Sequence, residues 1–430
     1  MANDGIRAIA LVVLLVCAGC SSLIPQMEDI GREGGISATD SLSITDGDGL
    51  NESERKQVVH RTMARVETIR DLEFTEDVPV RVISRETYHN ESVVAPIAGG
   101  QPPGWTNQVW EALWLVDEHT NASEEIDGVY ASGVLGYYSD GQIVIVSDSE
   151  TPRIDPYTLA HELTHALQDQ QLSLSYSTST LDSRLATNGL IEGDANVVES
   201  AYQKRCEQEW NCLERPDRSV SGLEPNDGIY DTVIMPYVQG PRFVGALRSG
   251  NDWTAVNRAY DRVPNSTEQI IHPDDYPEDQ PASVSLAGNP DGEWRRFDTN
   301  PRGETVGEAA IYTMGRTNGM IGANETTTRN YSSQFSDGWA GDRLVPFEQP
   351  NGANGYVWKT VWESPADAKA FETAYRVLLE RHGGQRAGDG VITVPEGPYA
   401  DAFLLEREGT TVRVVNGPTP RAVSELATVS

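Results

Sequence analysis

Positive charge is what this chain has least of. Its 430 residues carry 33 Lys and Arg against 65 Asp and Glu, a formal net charge of −32. Lysine is almost absent: only Lys56, Lys204, Lys359 and Lys369 occur, and every other cation of this kind is Arg. Such a balance excludes a nucleic-acid binder, because phosphate binding needs Lys and Arg to release counterions. It equally excludes electrostatic adhesion to anionic membranes. Long apolar runs are missing too. The longest, Ile6 to Gly19, is interrupted by Arg7 and falls short of the roughly 20 residues a spanning helix needs. No internal repeat is visible. What is present suffices for a folded protein: hydrophobic residues make up 38% and charged ones 23%, which argues against wholesale disorder. At about 150 residues per domain, the length suggests two or three domains.

One basic residue, a short apolar core and a small-residue exit read as a secretory signal over residues 1–19. The segment has no twin Arg, which favours the general secretion route. Its end, Cys17-Ala18-Gly19-Cys20, resembles a lipobox, with Cys17 where Leu is usual. That resemblance implies cleavage before Cys20, a lipid anchor on Cys20, and a location on the outer face of the membrane. An uncleaved apolar anchor, or cleavage without lipid, are the alternatives. Ser21 to Leu50 is rich in Gly, Ser and Asp and reads as a flexible stalk. Two cysteines remain beyond it, Cys206 and Cys212, and an even pair in an exported chain suggests one local disulfide. A zinc clip there would need two further ligands nearby, and the sequence offers none. Asn-x-Ser/Thr sites at Asn51, Asn90, Asn121, Asn265, Asn324 and Asn330 permit glycosylation.

Periodicity predicts helices over Asn51–Leu72, Asn107–Glu118, Pro156–Gln171, Gly189–Arg205, Val233–Leu247, Trp253–Val263, Glu304–Met320 and Ala366–Arg381. Strands are expected at Val78–Ile83, Arg343–Phe347, Tyr356–Val361, Ala402–Arg407 and Thr411–Val415, with a hairpin over Gly136–Ser147. Leu172 to Asn188 and Asn265 to Ser285 read as loops. The expected class is α+β.

The informative stretch is His161-Glu162-Leu163-Thr164-His165. Residues four apart on a helix share a face. His161 and His165 can therefore put two imidazole nitrogens on one Zn²⁺ at about 2.0–2.1 Å. Glu162, next to the first His, can reach an activated water without binding the metal, as a general base requires. Leu159, Leu163 and Leu167 supply a separate stripe for burial. Glu192, on the next predicted helix, is the candidate third ligand. Two His and one Glu would leave a fourth position open, which marks a catalytic site. Asp194, Asn196 and Asp169 are candidates to steady a histidine ring by accepting from its N–H. His272, Tyr237 and Tyr202 are candidate donors to a developing oxyanion.

His161 to Gln170, HELTHALQDQ, resembles the active-site helix of gluzincin metallopeptidases, the thermolysin-like clan. Glu-Gly-x-Ala at Glu192 to Ala195 resembles the third-ligand helix of the peptidase-MA-like branch. The resemblance implies Zn²⁺ on His161, His165 and Glu192, Glu162 as general base, and hydrolysis of peptide or protein substrates. It also implies that the hairpin ending in Gln142 to Val146 is the edge strand that holds extended substrates. In thermolysin an Asp follows the ligand Glu by four residues; here that position is Asn196. High acidity with scarce Lys resembles proteins of salt-loving archaea. In molar salt the Debye length is about 3 Å, so self-repulsion is screened. Pro264 to Pro273 and Trp358 to Ala368 resemble a family of haloarchaeal surface lipoproteins. The expected layout is a gluzincin-like domain over 51–285, with a small sheet and edge strand over the active-site helix, and a C-terminal α+β region over 286–430. A catalytically inactive binding or structural lipoprotein on the same scaffold is the alternative. A solute-binding transporter lipoprotein would need two similar α/β lobes, and the chain shows no such alternation.

Overall fold

In a computed structural model, residues 30–44, 47–90, 101–131, 135–216, 226–250, 252–321 and 329–430 are described. The signal segment, Cys20 and Asn324 lie outside them. A two-residue hairpin, β1 (Arg32–Glu33) and β2 (Ile36–Ser37), precedes α1 (Glu52–Arg70). Asn51 caps α1 reciprocally: its side chain accepts from the Glu54 N–H, and the Glu54 carboxylate accepts from the Asn51 N–H. Next come β3 (Val80–Ile83), α2 (Arg85–Asn90), α3 (Pro103–Ala112), α4 (Ala122–Ala131), β4 (Gly136–Ser139) and β5 (Gln142–Val146). Strand β5 pairs in parallel with β3 and antiparallel with β4, giving a small mixed sheet of order β3-β5-β4. Within the hairpin, the edge role falls to β4 rather than to Gln142–Val146: β5 is central, and β3 and β4 are the two edges among the described residues.

The helical part follows: α5 (Pro156–Leu172), α6 (Leu181–Gln208), α7 (Asp227–Val233), α8 (Met235–Leu247), α9 (Thr254–Asp261) and α10 (Thr267–Ile271). Three expectations change here. Helix α6 starts at Leu181 rather than Gly189, because Thr180 in the Ser/Thr-rich stretch is an N-cap accepting from the Ser183 N–H. The helix expected over Val233–Leu247 breaks at Ile234, with a proline in the first turn of the second piece. The loop expected over Asn265–Ser285 contains α10, capped by Ser266.

The chain ends with β6 (Arg295–Arg296), α11 (Gly307–Thr317), β7 (Trp339–Glu348), β8 (Asn354–Trp362), α12 (Pro365–Arg381), β9 (Gln385–Gly388), β10 (Val391–Thr393), β11 (Ala402–Glu408), β12 (Thr411–Gly417) and α13 (Pro420–Leu426). These strands form one antiparallel sheet of order β6-β7-β8-β12-β11-β10-β9. The architecture is α+β. Residue 285 does not divide the core. Trp114, just past α3, is fully buried and stacks on Phe403, while its Nε1–H donates to the Tyr375 hydroxyl at 3.1 Å. One apolar cluster runs from Leu50 to Val414.

The expected flexible stalk is, from Ile30 onward, largely packed structure. Fully buried Arg65 of α1 explains it. Its Nε donates to Ala38 O at 2.8 Å and one terminal nitrogen donates to Asn211 O at 3.1 Å. Its guanidinium lies 4.7 Å from the Trp210 ring centre. The Gly31 N–H donates to Glu67 at 2.9 Å, and Leu50 is fully buried. Cys206 and Cys212 are disulfide-bonded, closing the loop that carries Trp210. Among the described residues, no helix is long and apolar enough to cross a membrane.

Candidate metal centre

Helix α5 starts where Asp155 accepts from the N–H groups of Tyr157 and Thr158 with Pro156 behind it. Leu159, Leu163 and Leu167 are buried, which fixes the rotation of the helix and turns His161 and His165 toward α6. There they meet Glu192. His161 Nε2 lies 3.1 Å from Glu192 Oε2 and 3.1 Å from His165 Nε2; His165 Nε2 lies 3.4 Å from the same oxygen. Tetrahedral coordination at about 2.0–2.1 Å spaces ligand atoms by about 3.3 Å, so the triangle fits a zinc ion.

The outer ring nitrogens decide what the inner ones can be. The Nδ1–H of His161 donates to Glu199 at 3.2 Å, and that of His165 donates to Gln168 Oε1 at 2.9 Å. The Gln168 amide is oriented by its own N–H, which donates to Ile191 O at 3.0 Å. With both Nδ1 protons engaged, neutral rings present two Nε2 lone pairs and a carboxylate to one another. Three acceptors without a donor between them are the donor set of a cation site, and partners on the outer nitrogens are what orient histidine ligands. With only protons to share, burial disfavours the His161 imidazolium, yet Glu192 and Glu199 push it up to about 10. Burial alone would raise the Glu192 carboxyl, but His165 and His161 hold it well below the usual carboxylate range.

Glu162 points elsewhere, as its position one residue on requires. It is half-buried, and its Oε2 accepts from the Tyr138 N–H of edge strand β4 at 2.9 Å. Burial raises its carboxyl above the ordinary value. The edge strand and the candidate base are therefore joined directly.

Gly193, next to Glu192, has a backbone reason to be Gly. A Cβ there would lie 2.4 Å from the Gly240 carbonyl of α8. Helices α6 and α8 cross on bare backbone at that point, which sets where the Glu192 turn lies.

The three residues proposed to steady a histidine do other things. Asp194 is fully buried on the opposite side of α6, paired with Arg70 at 2.9 Å. The Asn196 amide donates to Glu192 O at 2.8 Å, so it supports helix backbone. Asp169 accepts from the Tyr138 hydroxyl at 2.7 Å. The steadying groups are Glu199 and Gln168, which sequence reasoning missed. Their signals were present: Gln168 follows His165 by three residues, and Glu199 follows Glu192 by seven, each on the same helix face. Of the oxyanion candidates, His272 lies 3.2 Å from Glu308, Tyr202 accepts from buried Arg65 at 3.2 Å, and Tyr237 is exposed on α8.

Comparison with known proteins adds one finding. A family model described as a domain of unknown function, DUF8575, matches residues 295–427. That span covers the seven-stranded sheet and none of His161, Glu162, His165 and Glu192. No curated protein and no solved structure matches the chain.

Proposed function

We propose that this protein is a zinc-dependent peptidase, acting on peptide or protein substrates at the outer face of the membrane. The observation that carries the reading is the convergence of His161 Nε2, His165 Nε2 and Glu192 Oε2 within 3.1–3.4 Å of one another. His161, His165 and Glu192 would hold the ion, with Glu199 and Gln168 fixing the two rings. When bound, zinc supplies Lewis-acid polarisation of a carbonyl and of water. Glu162 accepts the proton of the attacking water and returns it to the leaving amine, and its raised pKa suits both transfers. The Tyr138 N–H holds Glu162 in place for this. Strand β4 is an edge of its sheet among the described residues, so an extended peptide can add to it alongside Glu162. The signal segment and Cys20 support the location.

The test is metal content and hydrolysis of a peptide library by purified protein in molar salt. Zinc should bind, and Glu192→Ala should lose it. Glu162→Gln should keep the metal while the hydrolysis rate falls by about 10²–10⁴-fold. A Glu162→Gln variant as active as wild type would remove Glu162 from the reaction. Metal binding with no hydrolysis in the wild type would turn the reading to an inactive binding protein on the same scaffold.

A further inference from the structure

We propose a second divalent-cation site, formed by His272, Glu308 and Asp337, that takes a transition ion such as Zn²⁺ or Mn²⁺. It shares no residue with the His161–His165–Glu192 centre and does not rest on the peptidase reading. One ligand atom from each of the three residues lies within 4.8 Å of the others. The residues come from distant parts of the chain: His272 ends α10, Glu308 sits in the first turn of α11, and Asp337 lies in the turn before β7.

A gathering of carboxylates alone would mean little in so acidic a chain. The decisive atom is Glu308 Oε2. The Glu308 side chain has no exposure, and His272 Nε2 is 3.2 Å from each of its oxygens. Without an ion, one Nε2–H is left to serve both oxygens, and Oε2 is without a hydrogen bond of its own among the described residues; with an ion bound, Nε2 would give up that proton and face the ion as a lone pair. A buried carboxyl oxygen without a hydrogen bond of its own costs about 1–3 kcal/mol, and folded proteins rarely leave one without a reason. A cation between Glu308 and Asp337 supplies that reason. Asp337 is already oriented, because its Oδ1 accepts from the Ser333 N–H at 2.8 Å.

The surroundings favour a cation as well. The other charges acting on His272 and Glu308 come from Asp275, Glu268, Asp182 and Glu363, all carboxylates. His272 is the one base in this set. His272 and Asp337 are half-buried, which leaves a route from solvent. One imidazole with two carboxylates suits Zn²⁺ or Mn²⁺ better than Ca²⁺, which takes six to eight oxygens. An ion here would tie α10 of the helical part to α11 and to the start of β7.

Equilibrium dialysis of the full chain against Zn²⁺ or Mn²⁺, in molar KCl to suppress diffuse surface binding, tests this. Wild type should hold two ions per chain. Asp337→Asn, which keeps the oxygen that meets Ser333, should hold one, with the second at least about 10-fold weaker. Glu308→Gln should behave the same way, which covers the case in which one variant misfolds. Glu192→Ala should also hold one, bound as tightly as the second ion of wild type. One ion in wild type and none in Glu192→Ala would overturn the second site and leave the first standing. An ion lost in Asp337→Asn but kept in Glu192→Ala would do the reverse. Unchanged binding in both Asp337→Asn and Glu308→Gln would overturn the second site.

Discussion

Glu192 and Asp194 are two residues apart on α6, so their side chains leave the helix roughly 200° apart. Both are carboxylates drawn away from water, and they meet opposite kinds of partner. Asp194 faces donors: Arg70 through Nε at 2.9 Å and Nη2 at 3.1 Å, and the Tyr260 hydroxyl at 2.8 Å. Arg70 is in turn held by Asn257 at 2.6 Å and lies 4.2 Å from the Trp253 ring centre. Glu192 faces two imidazoles whose protons are engaged elsewhere. One face of the helix is electrostatically closed, and the other, with both rings neutral, has three acceptors and no donor between them. The lesson is that a buried carboxylate's role follows from whether its neighbours bring protons, not from its burial.

The sharpest way to break this contrast is to truncate each acid. Asp194→Ala should cost about 3–5 kcal/mol of stability, because it strands the buried Arg70. Denaturant unfolding of metal-free protein measures this, and Glu192→Ala under the same conditions should cost clearly less, because His161 keeps Glu199 as a partner for its charge. Equal losses would mean that Glu192 is structural too. A third acid sharpens the comparison. Asp401 is buried against the Asn416 amide at 2.7 Å and the Glu118 carboxyl, and burial pushes it up to about 7. A carboxyl raised on folding makes stability greatest below about pH 4, and that contribution is lost as pH climbs to 7. Asp401→Asn should flatten that decline, by something on the order of 4 kcal/mol across the window. Gly193→Ala should cost about 1–3 kcal/mol by forcing α8 off α6. It should weaken metal binding more than an equally destabilising change far from α6, and equal weakening would sever the helix crossing from the site. The smallest effect expected is for Cys206→Ser, at most about 2 kcal/mol because the closed loop is short. A thermal melt would read it, and metal affinity should not move.

Much of the candidate site was legible. The Asp155-Pro156 start, the His161–His165 spacing and Glu192 on the following helix all come from local rules of helix geometry. What the sequence hid depends on contacts between distant segments. Asp194 looked as suitable a partner for a histidine as Glu199, and only the crossing of α5 and α6 decides between them. The seating of α6 itself is set partly by its crossing with α8, at Gly193 against Gly240, two residues with no side chain to advertise it. The sheet shows the same limit. Strands β8, β11 and β12 announce themselves by apolar runs, whereas β9 is exposed at every residue and is held by pairing to β10 alone. The segment before α1 lacked apolar periodicity because its apolar anchors, Ala38, Leu42, Ile44 and Leu50, are irregularly spaced and the rest of its attachment is polar, through Arg65 and Glu67.

That attachment bears on where a protein anchored as proposed could work. With the chain pinned from about Ile30 onward, an anchor at Cys20, as proposed, would lie ten residue steps away. At about 3.3–3.6 Å per residue its full reach is about 35 Å, where a leash running to Leu50 would have reached about 100 Å. A protein on so short a leash would sweep a thin shell above the bilayer. Its substrates would be chains that arrive at, or emerge from, the membrane surface rather than those diffusing far above it.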